Sequence, residues 1–492
     1  MLFTSLNFAA FLIIVAVGYH LCPLRWRPWY LLGSSYAFYC TWSVPFAVML
    51  LAVTGFAFTL GKRIGGEAGE SGRGHWVAAG IVVLFLPLML LKYASVLLPG
   101  VSLGSGGTGT AWWSAPNVIA AVGISYYTFK LVSYVVEVYW QRMEPCPRFV
   151  SFASYAAFFP QMLSGPIQRP ADFLGQVQRL RKADPNVVAS GLRLMLFGFF
   201  KKLIVADKLG LVVDHAFSHP HHATGLVLAS ASYLFTLQLY ADFSGLTDIA
   251  IGAGRVLGFA APQNFDSPFY AENIQEFWRR WHMTLTGWLT DYVFMPLRMA
   301  FRSWGEIGLI VSLIINMVAV GVWHGAAWTF VVFGLIHAAY MTAFVLTQKQ
   351  RKRWRQRRPM LRRLHVVSGP LITFNLVVIS LVVWRAANLS DAWYILSHAA
   401  ESVPVAVWSL CRGHGLRAVL AGSRLGANPA DLAIAAIGLL IMETVQLLKH
   451  SGHLSSIIAG PVWLRWAGYY VLGFAILLWG ESGAHQFIYV QF

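Results

Sequence analysis
Apolar runs long enough to cross a bilayer recur along the whole 492-residue chain, and no other feature constrains its fold as strongly. A span needs roughly 17–25 mostly apolar helical residues. Clear runs are Leu6–Cys22, Trp76–Leu98, Asn117–Val138, Gly225–Tyr240, Ile307–Val322, Trp328–Leu346, Val366–Trp384, Leu432–Leu448 and Val462–Trp479. Shorter or interrupted ones are Trp29–Trp42, Val44–Leu60, Phe149–Gly165 and Leu192–Val205. The pattern predicts an all-α polytopic membrane protein with about 11–13 transmembrane, re-entrant and interfacial helices. Composition agrees: only 12% of residues are charged, against about 25% in a soluble chain.

The opening "MLFTSLNFAAFLIIVAVGYHLC" has no basic leader and no small-residue cleavage site, so it reads as a retained first span. Cys22, Cys40, Cys146 and Cys411 form no CxxC pair, which gives no support to a zinc site or a disulfide framework. No internal repeat is visible. The formal net charge of +17 sits in loops between apolar runs, not on a soluble nucleic-acid-binding domain. It is densest in Gln348–Leu364, "QKQRKRWRQRRPMLRRL", with nine Lys or Arg and no acid. The positive-inside rule makes this a cytoplasmic loop, and holding anionic lipid heads is compatible with that.

A topology follows from that loop. Trp328–Leu346 enters the cytoplasm and Ile307–Val322 leaves it, with Arg298 and Arg302 inside. Val366–Trp384 goes out, Leu432–Leu448 returns to Lys449, and Val462–Trp479 goes out again. The C-terminus is then extracytoplasmic. The 385–429 connection strains this scheme, because it carries Arg385, Arg412, Arg417 and Arg424 outside; long connections obey the rule less.

An ionisable side chain at membrane depth is costly and marks a functional hypothesis. Such residues concentrate in four stretches. In "FFPQMLSGPIQRPADF", Phe158–Phe173, three prolines forbid one continuous helix. It is either a kinked helix with its loop or a re-entrant wall of a substrate cavity. In "LYADFSGLTDIAIGAGRVLGF", Leu239–Phe259, Asp242 and Asp248 interrupt an apolar run and invite pairing with a base such as Arg255. In Asn264–Leu297, Trp278, His282, Leu285, Leu289 and Tyr292 recur at helical spacing, with Arg279 and Arg280 beside them. That helix either lies flat in the cytoplasmic interface or lines an entrance where arginines receive phosphates. The fourth stretch, "NMVAVGVWHGAAWTF", holds His324 before Gly325, Ala326 and Ala327, so backbone or ligand can approach closely. Asn316 lies two turns earlier, and His337 on the next span either faces it or simply packs.

A lone histidine on an apolar helix commonly hydrogen-bonds a neighbour and does nothing else. Two of them suggest more. No serine or cysteine elbow is nearby, and no HExxH or other ligand spacing marks a metal. An imidazole in a dry cavity can act as general base on a hydroxyl attacking an activated acyl group, and its ordinary pKa of about 6.5 suits that role.

These motifs resemble the membrane-bound O-acyltransferase family, and within it the bacterial alginate O-acetyltransferase branch. "FFPQMLSGPIQRP", "YADFSGLTDIAIGAGRVLGF", "NFDSPFYAENIQEFWRRWHMTLTGWLTDYVFMPL" and "VWHGAAWTF" stand in that family's order and spacing, with His324 42 positions after His282. The branch continues "PL" with a Gly-Gly-Asn-Arg turn where this chain has "PLRMAFRSWG", so contacts of that turn do not carry over. The resemblance implies a single membrane domain over 1–492, with core motifs at about 118–347 and C-terminal spans and a tail at 366–492. It implies a tunnel through the bilayer, His324 as the catalytic histidine and His282 as the second polar position. Trp278, Arg279, Arg280, Trp288, Asp291 and Tyr292 would then serve the donor, acetyl-CoA, with no permanently bound cofactor and no metal.

The chain ends "HQFIYVQF", an F-x-Y-x-x-F pattern resembling the terminal motif of bacterial acyl-export acyltransferases or their companion peptides. There Tyr489 would relay the acyl group to an extracytoplasmic SGNH-type partner, and from it to a polysaccharide. By composition alone it is equally an aromatic interface anchor. The implied setting is a bacterial inner membrane, with the lipid bilayer as partner and no nucleic acid. D-alanyl export to teichoic acid is the enzymatic rival. A glycan or lipid transporter is the rival from another class; it would show coupling-ion carboxylates and inverted repeats.

Overall fold
The structure, a computed structural model, describes residues 1–66, 70–97, 123–180, 182, 184–357, 359–412 and 428–481. Those residues are helical throughout, with turns between helices and no strand among them. Eight helices among them are long and apolar enough to cross a membrane, from Val44–Gly65 to Val462–Trp479, and Leu6–Leu21 is a shorter apolar one. The all-α polytopic expectation is met. The connection after Arg385, read from sequence only as long, contains the helix Leu389–Cys411. Tyr489 and the rest of the terminal motif lie outside the described residues, as do parts of the basic Gln348–Leu364 stretch.

The chain forms two compact units, Met1–Met195 with Leu246–Gln263, and Leu196–Gly245 with Asn264–Phe492. In the first, Phe158–Phe173 is broken as its prolines require. Helix Phe149–Ala156 ends, Phe159–Met162 makes one turn, and Pro170–Gln178 starts afresh. The broken backbone is buried and tied by polar side chains. Lys130 Nζ donates to Tyr155 O at 3.2 Å and Gln161 Oε1 at 2.9 Å. Gln161 Nε2 donates to Gln168 Oε1 at 2.7 Å, and Gln168 Nε2 to Ala260 O at 3.0 Å. Non-helical backbone is thus satisfied inside protein, and these groups serve the chain's own carbonyls and amides.

The second unit rests on a close helix pair, Gly305–His324 and Trp328–Leu346. Glycine allows the approach: a Cβ on Gly321 would meet Phe330 O at 2.1 Å, and one on Gly334 would meet Met317 O at 2.6 Å. A π-type turn, Lys201–Ala206, swings Lys202 inward. There its ammonium meets Asp207 at 2.7 Å and Asp242 at 2.9 Å, all three buried. Lys201 Nζ donates to Ser244 Oγ at 3.0 Å. Asp242 therefore pairs with Lys202 and not with Arg255. Two adjacent lysines inside the apolar run Leu192–Val205 were the sequence signal for this cluster.

Polar contacts collect at two sets of helix ends in this unit. One set holds Lys449 against Asp266 at 3.4 Å, Tyr270 donating to Glu443 at 2.8 Å, and His450 stacked on Tyr270. The other holds Arg385 with Asp214 at 2.8 Å, His221 with Asp391 at 3.2 Å, and Lys208 between Asp431 and Glu481.

Candidate active site
Helix Gly305–His324 stops at His324 because Gly325 leaves in an extended conformation. Its side of the turn is tight: a Cβ on Gly325 would meet Phe330 at 2.5 Å. The His324 ring is 7% exposed and caged by aromatics. Ring centroids lie 4.9 Å away for Trp323, 5.4 Å for Trp384 and 5.9 Å for Phe333, all three edge to face. Trp384 precedes Arg385, so this histidine sits next to the Arg385–Asp214 set of helix ends.

The single helix expected through Arg279–Tyr292 is not what forms. Helix Ile274–Arg280 ends, Trp281 is extended, His282 adopts φ 41° and ψ 52°, and Met283–Leu289 begins there, running into a π-type turn at Thr290–Phe294. A left-handed backbone at a residue with a Cβ is unfavourable by about 1–3 kcal/mol and is held only by its surroundings. Here a backbone clip holds it: Asp266 N–H donates to Arg280 O at 3.0 Å, and Met283 N–H to Asn264 O at 2.8 Å. The face that would have carried Trp278 on to Leu285 is therefore interrupted.

Asn264 fixes the ring. Its Oδ1 accepts from Thr284 N–H at 3.2 Å and from Thr284 Oγ1 at 2.8 Å, which settles the amide orientation. The same oxygen lies 3.1 Å from His282 Nδ1. A carbonyl oxygen can only accept, so Nδ1 carries the proton and Nε2 has the lone pair. Both residues are 1% exposed, and His282 Nε2 and Asn264 Nδ2 have no hydrogen-bond partner among the described residues. Burial pushes the His282 imidazole down to about 3, so the ring is neutral at working pH. Its edge meets Phe243 at 4.7 Å and Trp323 at 5.5 Å. Trp323 thus touches both histidines.

His337 is used differently. Trp278 Nε1 donates to its Nδ1 at 3.2 Å, so its proton is on Nε2, which donates to Ser380 Oγ at 2.9 Å. Ser380 passes its own proton to Val377 O at 2.8 Å. The Trp278 indole N–H, both His337 nitrogens and the Ser380 hydroxyl are all satisfied, and His337 packs. Trp278, expected at the donor, spends its indole N–H there. Of the other expected donor contacts, Arg280 pairs with Glu276 at 2.7 Å, while Arg279 and Asp291 are exposed. Trp288 is buried against Tyr292 at 5.0 Å. Asn264 and Trp384 are the site residues to which sequence reading gave no role. Asn264 lay inside a quoted motif, but only folding sets it beside His282. Among the described residues, no three His, Cys, Asp or Glu side chains group as a metal site would require.

A neutral base, an orphaned amide donor and a second imidazole in an aromatic cage can move a proton and polarise a carbonyl. With membrane-spanning helices around them, they define a polytopic membrane transferase. The profile of the MBOAT, membrane-bound O-acyltransferase family matches residues 141–383, which include Asn264, His282, Trp323 and His324 but not Trp384 or Tyr489. The "Probable alginate O-acetylase AlgI" of Azotobacter vinelandii is 33% identical over 408 residues, covering 80% of this chain and 77% of that protein. The "Peptidoglycan O-acetyltransferase" of Helicobacter pylori is 28% identical over 425 residues, covering 80% and 78%. The "Teichoic acid D-alanyltransferase" of Bacillus subtilis is 32% identical over 253 residues, covering 49% and 62%. The chain belongs to the membrane-bound O-acyltransferase family and is an acyltransferase.

Proposed function
We propose that the protein works as one membrane domain that passes an acetyl group from cytoplasmic acetyl-CoA across a bacterial inner membrane, for O-acetylation of an extracytoplasmic polysaccharide. One observation carries the reading. His282 and His324 contact the same indole, Trp323. His282 is clipped to the Asn264–Asp266 segment, whose Asp266 reaches Lys449; His324 abuts Trp384 beside Arg385. The basic run before Pro359 favours the cytoplasm for the Lys449 side. The exposed Arg279 suits the phosphates of the donor.

In this reading His324 takes the proton of the acceptor hydroxyl as its oxygen attacks the acyl carbon. The C–O bond forms, the C–S bond breaks, and the proton passes on to the departing thiolate, leaving the imidazole neutral. General-base assistance contributes about 10²–10⁴-fold, and positioning of the two substrates supplies the rest. Tyr489 is the first acceptor, and its aryl ester hands the acetyl group to an SGNH-type extracytoplasmic partner. Two of the relatives above are named for acetyl transfer and match four-fifths of the chain, which favours acetyl. The D-alanyl reading has a relative that matches half of it.

Mass spectrometry of the C-terminal peptide after incubation with acetyl-CoA tests the relay. The reading expects one acetyl group on Tyr489, removed by hydroxylamine and absent from Tyr489→Phe. An unmodified tail in a protein that acetylates polymer would show that the acceptor reaches His324 directly.

A further inference from the structure
Asn264 and His282 each leave a buried polar atom without a hydrogen-bond partner among the described residues. A buried amide N–H without an acceptor and a buried lone pair without a donor are both unfavourable, and the left-handed His282 adds to that. Three bonds converge on Asn264 Oδ1, from Thr284 N–H, Thr284 Oγ1 and His282 Nδ1. The amide cannot turn over without losing them, so Nδ2 is held as the donor end of a fixed, buried amide. Bracing His282 requires only Oδ1. A fold that needed no more could place a carboxylate there, or let Nδ2 find a carbonyl. The unused donor is the part that bracing does not explain.

We infer that Asn264 is a catalytic residue of the acyl transfer, its Nδ2–H donating a hydrogen bond to the carbonyl oxygen of the acyl thioester. The inference rests on the reading that an acyl thioester is attacked beside His282 and His324. When the hydroxyl oxygen adds to the carbonyl carbon, the π electrons move onto that oxygen, and a fixed donor in a water-poor site stabilises the charge. The charge returns as the C–S bond breaks, so Asn264 gains and loses no atom. An amide suits the task because it stays neutral. The unprotonated Nε2 of His282 lies on the same hydrogen-bonded pair and offers an acceptor to a proton-bearing group of either substrate. The tautomer that Asn264 imposes and the donor it presents are thus two uses of one side chain.

Asn264→Asp separates them. It keeps an oxygen acceptor for Thr284 and His282 and removes the donor, placing a carboxylate beside His282 in exchange. Removing one such donor lowers kcat by about 10²–10³-fold, so Asn264→Asp should bind acetyl-CoA within threefold of wild type and turn over at least a hundredfold more slowly. Turnover within threefold of wild type would reduce Asn264 to a brace for His282 and overturn the inference. A second measurement reads the thioester carbonyl directly. In His324→Ala protein loaded with acetyl-CoA carrying a ¹³C carbonyl, the thioester carbonyl band should fall below its position in water. Adding Asn264→Asp should move the band back up. A band at or above the aqueous position would also overturn the inference. Rapid consumption of acetyl-CoA by His324→Ala would instead contradict the role given to His324, and the kinetic comparison at Asn264 would still decide the donor.

Discussion

His337→Phe should weaken the fold and spare the chemistry, the reverse of His324→Ala. The His337 ring is 1% exposed and surrounded by aromatics, with Phe333 at 4.6 Å and Phe277 stacked at 6.4 Å. Phenylalanine fills nearly the same volume there, so the cavity penalty of an alanine substitution is largely avoided. What disappears is an acceptor. Trp278 Nε1–H loses its partner at 3.2 Å, and a buried donor left unsatisfied costs about 1–3 kcal/mol. Ser380 keeps its bond to Val377 O at 2.8 Å and loses only an incoming donor, which is minor. The expected loss is therefore about 1–3 kcal/mol, read as a melting temperature several degrees lower for detergent-purified protein. Turnover per folded molecule should stay within about threefold of wild type, since general-base loss would cost about 10²–10⁴-fold. An unchanged melting temperature with turnover abolished would refute this, because it would make His337 a participant in the reaction and not a packed link between Trp278 and Ser380.

Lys202→Met should strongly reduce the yield of folded protein, since it leaves Asp207 and Asp242 as buried like charges; breaking such a cluster costs about 3–5 kcal/mol, and normal yield and melting would contradict it. Gly334→Leu should separate the two central helices, because even a Cβ there would meet Met317 O at 2.6 Å; folded, active protein would show that the pair has slack. Arg279→Glu should weaken acetyl-CoA binding more than it changes kcat, and unchanged donor affinity would remove that arginine from the donor site. The depressed His282 imidazole makes stability fall in acid: the unfolded chain takes up a proton near 6.5 while the fold resists until about 3, so this group's contribution is present above 6.5 and is lost as pH falls toward 3. His282→Gln should flatten that decline between pH 6.5 and 5, and an equally steep decline in the variant would show that other groups cause it.

The spans were legible because hydrophobic length is a local property of sequence. Trp328–Leu346 and Val462–Trp479 form helices with the bounds read from composition, and His324 falls at the end of its helix, where Gly325 and the two alanines suggested a close approach. The break at Trp281–His282 was not legible. No proline or glycine marks it, and Trp278, Leu285 and Leu289 keep helical spacing across it. The clip from Asn264 and Asp266 that forces the break comes from residues some fifteen positions earlier, whose pairing depends on the folded chain. Partner choice was hidden for the same reason. Asp242 invited a base, but only the π-type turn at Lys201–Ala206 shows that the base is Lys202. His337 and His324 look alike in sequence, one turn from glycine in apolar helices. The neighbours Trp278 and Ser380 make one a fully bonded packing residue, while Trp323 and Trp384 make the other the centre of an aromatic cage.

The central claim is that the protein passes an acyl group between the two sides of a membrane with His324 as the general base. The most direct test uses sealed proteoliposomes with the labelled donor on one side only. ¹⁴C-acetyl-CoA is supplied to the face that bears Lys449, and label is counted on the C-terminal peptide released by protease from the opposite face. Wild-type protein should accumulate up to one acetyl group per molecule there, and His324→Ala, folded and melting normally, should accumulate none above background. Equal labelling of the two proteins would contradict the account.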